Sequence, residues 1–163
     1  MARTVALVAL AGHLPRQSPA FVPASCQRSH AHHLRVRHPG LCAAGGEQLG
    51  LTVYELAPGQ SICPYHYEYG EEEWLIALVG RPTLRTPEGE RELEPWDCAF
   101  FPTGEAGAHK VTNRTGETVR VCMWSNRLAV STAVYPDSEK VGAHPPGKLF
   151  RLADAVPYFT GEA

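Results

Sequence analysis

Residues 64–80 read PYHYEYGEEEWLIALVG. One histidine, His66, and four carboxylates, Glu68, Glu71, Glu72 and Glu73, fall within eight residues. The chain then turns apolar from Trp74 to Val79, a run too short for a typical helix. It is expected to be a strand buried on both faces. Burying charge is costly unless it is paired or bound to a metal, so ionisable groups set against a buried strand suggest a site. Side chains two apart on a strand share a face. His66 and Glu68 therefore point the same way, Gly70 permits a turn, and Glu73 opens the next strand. Glu71 is read as a solvated turn charge.

The rest of the chain from Leu51 has the same character. LTVYELAPG is β-prone and stops at Pro58-Gly59. TLRTPEGERELEP reads as a hairpin turning at Pro87-Glu88-Gly89. CAFFP is a strand closed by Pro102. HKVTNRTGETVRVCMWS reads as a second hairpin around Thr115-Gly116, with Val119, Val121 and Met123 on one face. LAVSTAVYPD follows. Short strands separated by turn signals predict an all-β sandwich or barrel, and no internal repeat divides it. Residues 47–137 are assigned to this barrel. Residues 1–46 are read as an irregular arm with one short strand at LRVRH, and residues 138–163 as a tail packing on the barrel through an apolar clasp, FRLADAVPYF.

Bulk properties remove several classes of function. The 163 residues suit one domain, and a net charge of −2 favours neither nucleic acid nor an anionic membrane surface. No apolar run approaches the roughly 20 residues of a membrane span. Five cysteines, Cys26, Cys42, Cys63, Cys98 and Cys122, make an odd set with no CxxC pair. Reduced thiols in a cytoplasm are expected. The opening MARTVALVALAGHLP, with one Arg and a short apolar run, is not read as a signal peptide. His30, His32, His33 and His38 form a histidine-rich tract, read as a polar arm because no carboxylate or cysteine frames them. Cys63 and Cys98 are read as small core residues.

A third group for the site comes from His109, near the start of HKVTN. Two imidazoles and one or two carboxylates converging from neighbouring strands make a divalent-metal site.

Two blocks now stand out in order: Gly59, His66, Glu68, Glu73 and Gly80, then Trp96-Asp97, Pro102-Thr103-Gly104, His109 and Asn113. Together they resemble the two motifs of the cupin superfamily, over about residues 51–125. The wider chain is similar to small single-domain bacterial cupins. Two departures are specific: Glu68 stands where the pattern has a second histidine, and Trp96 where it has a glycine. The resemblance implies a cupin-type jelly-roll β-barrel that pairs with a second copy as a homodimer. It implies His66, Glu73 and His109 as ligands of a divalent ion (Mn, Fe, Zn or Ni), with Glu68 as a candidate fourth and Glu72 as the alternate to Glu73. The expected function is binding a metal and a small organic ligand inside the barrel, as an oxygenase or isomerase in which Glu68 or Glu72 moves protons. The alternative is a non-catalytic or metal-free binding module. Reference histidine pKa values predict that metal affinity falls below about pH 6.

Overall fold

In the computed structural model, residues 47–162 and the backbone of one earlier strand, Arg35–His38, are described. That strand, β1, falls where LRVRH predicts one. The strands after it are β2 (Leu49–Leu56), β3 (Tyr67–Tyr69), β4 (Glu73–Val79), β5 (Thr83–Thr86) and β6 (Gly89–Glu92). Then come β7 (Cys98–Phe101), β8 (Lys110–Thr112), β9 (Val119–Asn126), β10 (Ser131–Tyr135), β11 (Lys140–His144) and β12 (Lys148–Arg151). Among the described residues only short 3₁₀ turns interrupt them. Among the described residues no helix is long and apolar enough to cross a membrane.

The strands form sheets ordered β1-β2-β9-β4-β7, β12-β11-β10-β3 and β6-β5-β8. The two smaller sheets meet along a seam where residues 59–66 run antiparallel to 109–113. Its bonds include Gly59 N–H to Asn113 O at 2.8 Å, Ile62 N–H to Val111 O at 3.1 Å and a reciprocal pair between His66 and His109. The result is a two-layer jelly roll whose sheets are not closed into a continuous barrel.

Period-2 alternation fills the space between the layers. Val119, Val121 and Met123 of β9 are buried as their spacing predicts. They pack with Leu56, Leu75, Ala77 and Phe101 of the large sheet and with Ile62, Leu84 and Val111 from the small ones.

Three expectations are corrected. First, β4 is buried on one face only: Leu75 and Ala77 are inside, but Trp74 is 39% exposed. Glu73 is the residue before them in that period, so it too faces inward. Second, β8 and β9 are not a hairpin. β8 pairs with β5, whereas β9 pairs with β2 and β4. The buried Asn113 directs the crossing: its side-chain amide donates to Leu56 O at 2.9 Å and Glu117 O at 2.7 Å. Its Oδ1 accepts from the Thr115 N–H at 2.9 Å. A local turn signal cannot tell such a layer crossing from a hairpin. Third, FRLADAVPYF is no clasp, because these residues are exposed. Residues 140–151 instead add β11 and β12 to the edge of β10.

Candidate metal centre

His66 and His109 lie opposite each other at the end of the seam next to β3. The His66 N–H donates to His109 O at 3.1 Å, and the His109 N–H donates to His66 O at 2.8 Å. A reciprocally bonded antiparallel pair projects both side chains to one face, and the imidazole centroids are 4.8 Å apart. Both residues are buried, at 4% and 1% exposure. Phe101 stacks on the His109 ring at 3.8 Å and Tyr135 on the His66 ring at 5.8 Å.

Backbone carbonyls set the tautomers. His66 Nδ1 lies 3.0 Å from Pro64 O and His109 Nδ1 lies 2.9 Å from Gly107 O. A carbonyl only accepts, so each Nδ1 carries its hydrogen and each Nε2 presents a lone pair. The 3₁₀ turn Glu105–Gly107 places the second of these carbonyls. Gly107 fits because a Cβ there would lie 1.7 Å from Pro102 O.

Glu73 completes the cluster from the first inward position of β4. Its Oε2 is 3.3 Å from His109 Nε2, and one ligand atom each from His66, Glu73 and His109 lie within 4.8 Å of one another. His109 Nε2 is buried without a hydrogen-bond partner. A bare imidazole nitrogen and a carboxylate oxygen, both acceptors, face each other there. Burial, with the neighbouring His66, pushes the His109 imidazole down to about 3, against the pull of the Gly107 carbonyl. Burial also holds His66 below its ordinary value. A cation relieves this arrangement where a proton does not. Two nitrogens and one carboxylate are also the donor set of a facial two-histidine-one-carboxylate site, so the residues fit a divalent ion.

The other residues singled out from the sequence fall around this cluster. Glu68 of β3 is buried, and its carbonyl accepts from the Gly104 N–H at 2.7 Å and from Thr103 Oγ1 at 3.1 Å. It is not one of the three clustered donors. Glu72 is exposed, with its N–H donating to Asn126 Oδ1 at 2.7 Å. Glu71, expected in solvent, is buried, and its charge favours protonation of His66. Period cannot reveal this, because Glu71 sits in the turn before β4. Cys63 was also missed as a site neighbour: its sulfur lies 3.5 Å from His66 Nδ1. His30, His32 and His33 lie outside the described residues, as does the side chain of His38.

Comparison with known proteins agrees with this geometry. Residues 52–125 match the family described as Cupin domain. A crystal structure of a candidate sugar phosphate isomerase from Acidithiobacillus ferrooxidans is similar at 26% identity and a TM-score of 0.67, over 76% of this chain and 78% of that one. A sugar phosphate isomerase of the cupin superfamily from Silicibacter pomeroyi is similar at 26% identity and a TM-score of 0.65, over 77% of this chain and 91% of that one. No curated protein matches the chain. With both histidines, the β4 carboxylate and the jelly-roll layers in place, residues 52–125 of this chain are a Cupin domain.

Proposed function

We propose that this protein binds one divalent metal ion through His66, Glu73 and His109 and isomerises a small hydroxy-carbonyl compound of the sugar-phosphate class. The observation that carries the metal reading is the buried, unpartnered Nε2 of His109 beside the Glu73 carboxylate. The substrate class is suggested by the two isomerases that resemble this chain over three-quarters of its length.

The chemistry asks little beyond proton transfer. Aldose–ketose interconversion moves a proton from the carbon beside the carbonyl to the carbonyl carbon, while a hydroxyl proton passes between the oxygens. No oxidant is needed. When bound, the metal polarises the substrate carbonyl. The protein holds both imidazoles neutral and aimed, through the Pro64 and Gly107 carbonyls. Glu68 is the carboxylate we assign to proton transfer: it is buried and two residues from His66, whereas Glu72 is exposed. Cys63, Cys98 and Cys122 form no disulfide, in keeping with the cytoplasmic location we propose.

The test is calorimetric titration of metal-stripped protein with Mn²⁺, Fe²⁺, Zn²⁺ and Ni²⁺, then incubation of the loaded protein with aldose and ketose phosphates in deuterated water. Deuterium incorporation at the carbon beside the carbonyl is expected, and lost in Glu68→Gln. Metal binding without exchange in any substrate overturns the isomerase reading and leaves a binding module. Absence of metal binding overturns the site.

A further inference from the structure

The inner face of the β12-β11-β10-β3 sheet carries groups that the metal cluster does not use. Directly opposite residues of paired strands share a face. Tyr135 of β10 stands opposite Lys140 of β11, and Lys140 stands opposite Arg151 of β12. Tyr135 is buried and stacks on the His66 ring at 5.8 Å, so this row lies on the face of the metal cluster. Lys140 Nζ is 5.8 Å from the Tyr135 ring centroid. Two steps of 5.8 Å therefore bound the reach from the His66 imidazole to the Lys140 ammonium. An open-chain sugar with a terminal phosphate spans such a distance. The next row on this face is Glu68, Ala133 and Gly142. The buried His144 Nε2, which has no hydrogen-bond partner, lies 3.4 Å from where a Cβ on Gly142 would stand. An unpaired polar atom thus faces that row as well.

Lys140 and Arg151 are two cations set directly opposite each other. Like charges so placed destabilise a strand pair. Among the described residues no carboxylate forms an ion pair with either. Both line a cavity of about 430 Å³, together with Ser138, Glu139 and Ala153. An anion held between the two side chains removes the repulsion. A phosphate monoester matches the pair: it carries about −1.5 to −2 charge at pH 7. Its oxygens accept two parallel bonds from a guanidinium and meet an ammonium as a point charge. We propose that Lys140 and Arg151 hold the phosphoryl end of the substrate while its carbonyl end lies at the His66–Glu73–His109 centre. The inference rests on the isomerase reading above for the rest of the substrate. It makes the pair the determinant that favours phosphorylated over unphosphorylated sugars and gives it no part in proton transfer.

The test uses the full-length chain and separates this subsite from the metal. Metal-stripped protein is titrated with inorganic phosphate, so that no bound ion attracts the anion, and followed by phosphorus NMR and melting temperature. Wild type should bind phosphate and melt higher in its presence. Lys140→Gln and Arg151→Gln should each weaken binding about tenfold, and the double variant should abolish it. Lys148→Gln removes the same charge from the other face of β12 and should leave binding unchanged. Metal titration of every variant should match wild type. In the loaded protein, the double variant should raise KM for a sugar phosphate about tenfold or more with kcat little changed. No phosphate binding by wild type, undiminished binding in the double variant, or an equal loss in Lys148→Gln overturns the subsite and leaves the metal centre standing. Phosphate binding lost in the double variant, with no deuterium exchange in any sugar phosphate, keeps the subsite and overturns only the isomerase reading.

Discussion

At the scale of single residues, the centre depends on how its imidazoles are aimed. His109→Ala should abolish metal binding in calorimetric titration, since it removes the donor nearest the Glu73 carboxylate. Gly107→Ala should weaken binding at least tenfold while leaving the circular dichroism β-rich, because a Cβ driven against Pro102 O displaces the carbonyl that orients His109. The low His109 pKa has a pH consequence with a definite sign. The unfolded chain takes up a proton below the ordinary value of 6.5, whereas the folded protein does so only near about 3. Stability is therefore undiminished above pH 6.5 and falls as the pH drops through that window. With His109 not competing for a proton in that range and His66 also held below its ordinary value, metal affinity should fall less steeply below about pH 6 than reference values suggest, and calorimetry at pH 7 and 5.5 checks this. Trp96 carries a different cost. It sits at φ +77° while 76% exposed, where the cupin pattern has glycine. Left-handed backbone costs a side-chain-bearing residue about 1–2 kcal/mol, and glycine returns about 0.5–1 kcal/mol of that as unfolded-state entropy. Trp96→Gly should therefore stabilise the protein by about 0.5–1 kcal/mol in urea unfolding.

At the scale of elements, pairing by period was legible and partnership was not. Glu73 is inside because Leu75 and Ala77 are, and the histidines could be named from their place in two motifs. The sequence could not show that the residues before β8 pair with those before β3, since that contact spans more than forty positions. Nor could it show that Glu71 is buried or that Cys63 touches His66; both lie in turns with no period to read. The misread β8–β9 hairpin has the same origin, for Thr115-Gly116 looks like any tight turn until the bonds of Asn113 are seen. Asn113→Ala should cost about 2–3 kcal/mol in denaturant unfolding, because it removes bonds to the carbonyls of Leu56 in β2 and Glu117 in the turn before β9 and strands buried polar groups.

At the scale of the whole molecule, the large sheet has an outer face as well as a core face. Across it Leu51, Trp124, Trp74 and Phe100 stand in one row and Val53, Cys122, Ile76 and Cys98 in the next. Trp74 stacks on Trp124 at 6.0 Å and meets Phe100 at 4.7 Å, with the Arg120–Glu55 ion pair at 2.8 Å beyond. Trp74, Phe100 and Cys98 are exposed and the others half-buried, and a contiguous apolar face of this kind marks an interaction site. We expect a homodimer through it: light scattering at micromolar concentration should give twice the chain mass, and Trp74→Lys with Trp124→Lys should halve it. A wild-type monomer removes the idea.

The reciprocal His66–His109 pair, which ends the seam between the two smaller sheets, ties ligation to folding. An ion held by these imidazoles would bind only the joined sheets, since the unfolded chain keeps its ligands apart. Occupancy then becomes part of the folding equilibrium: at a free ion concentration a hundred times Kd, linkage adds about 2.7 kcal/mol to the unfolding free energy. The melting temperature would thus report the metal content of the surroundings, rising with each decade of free ion and falling back when a chelator is added.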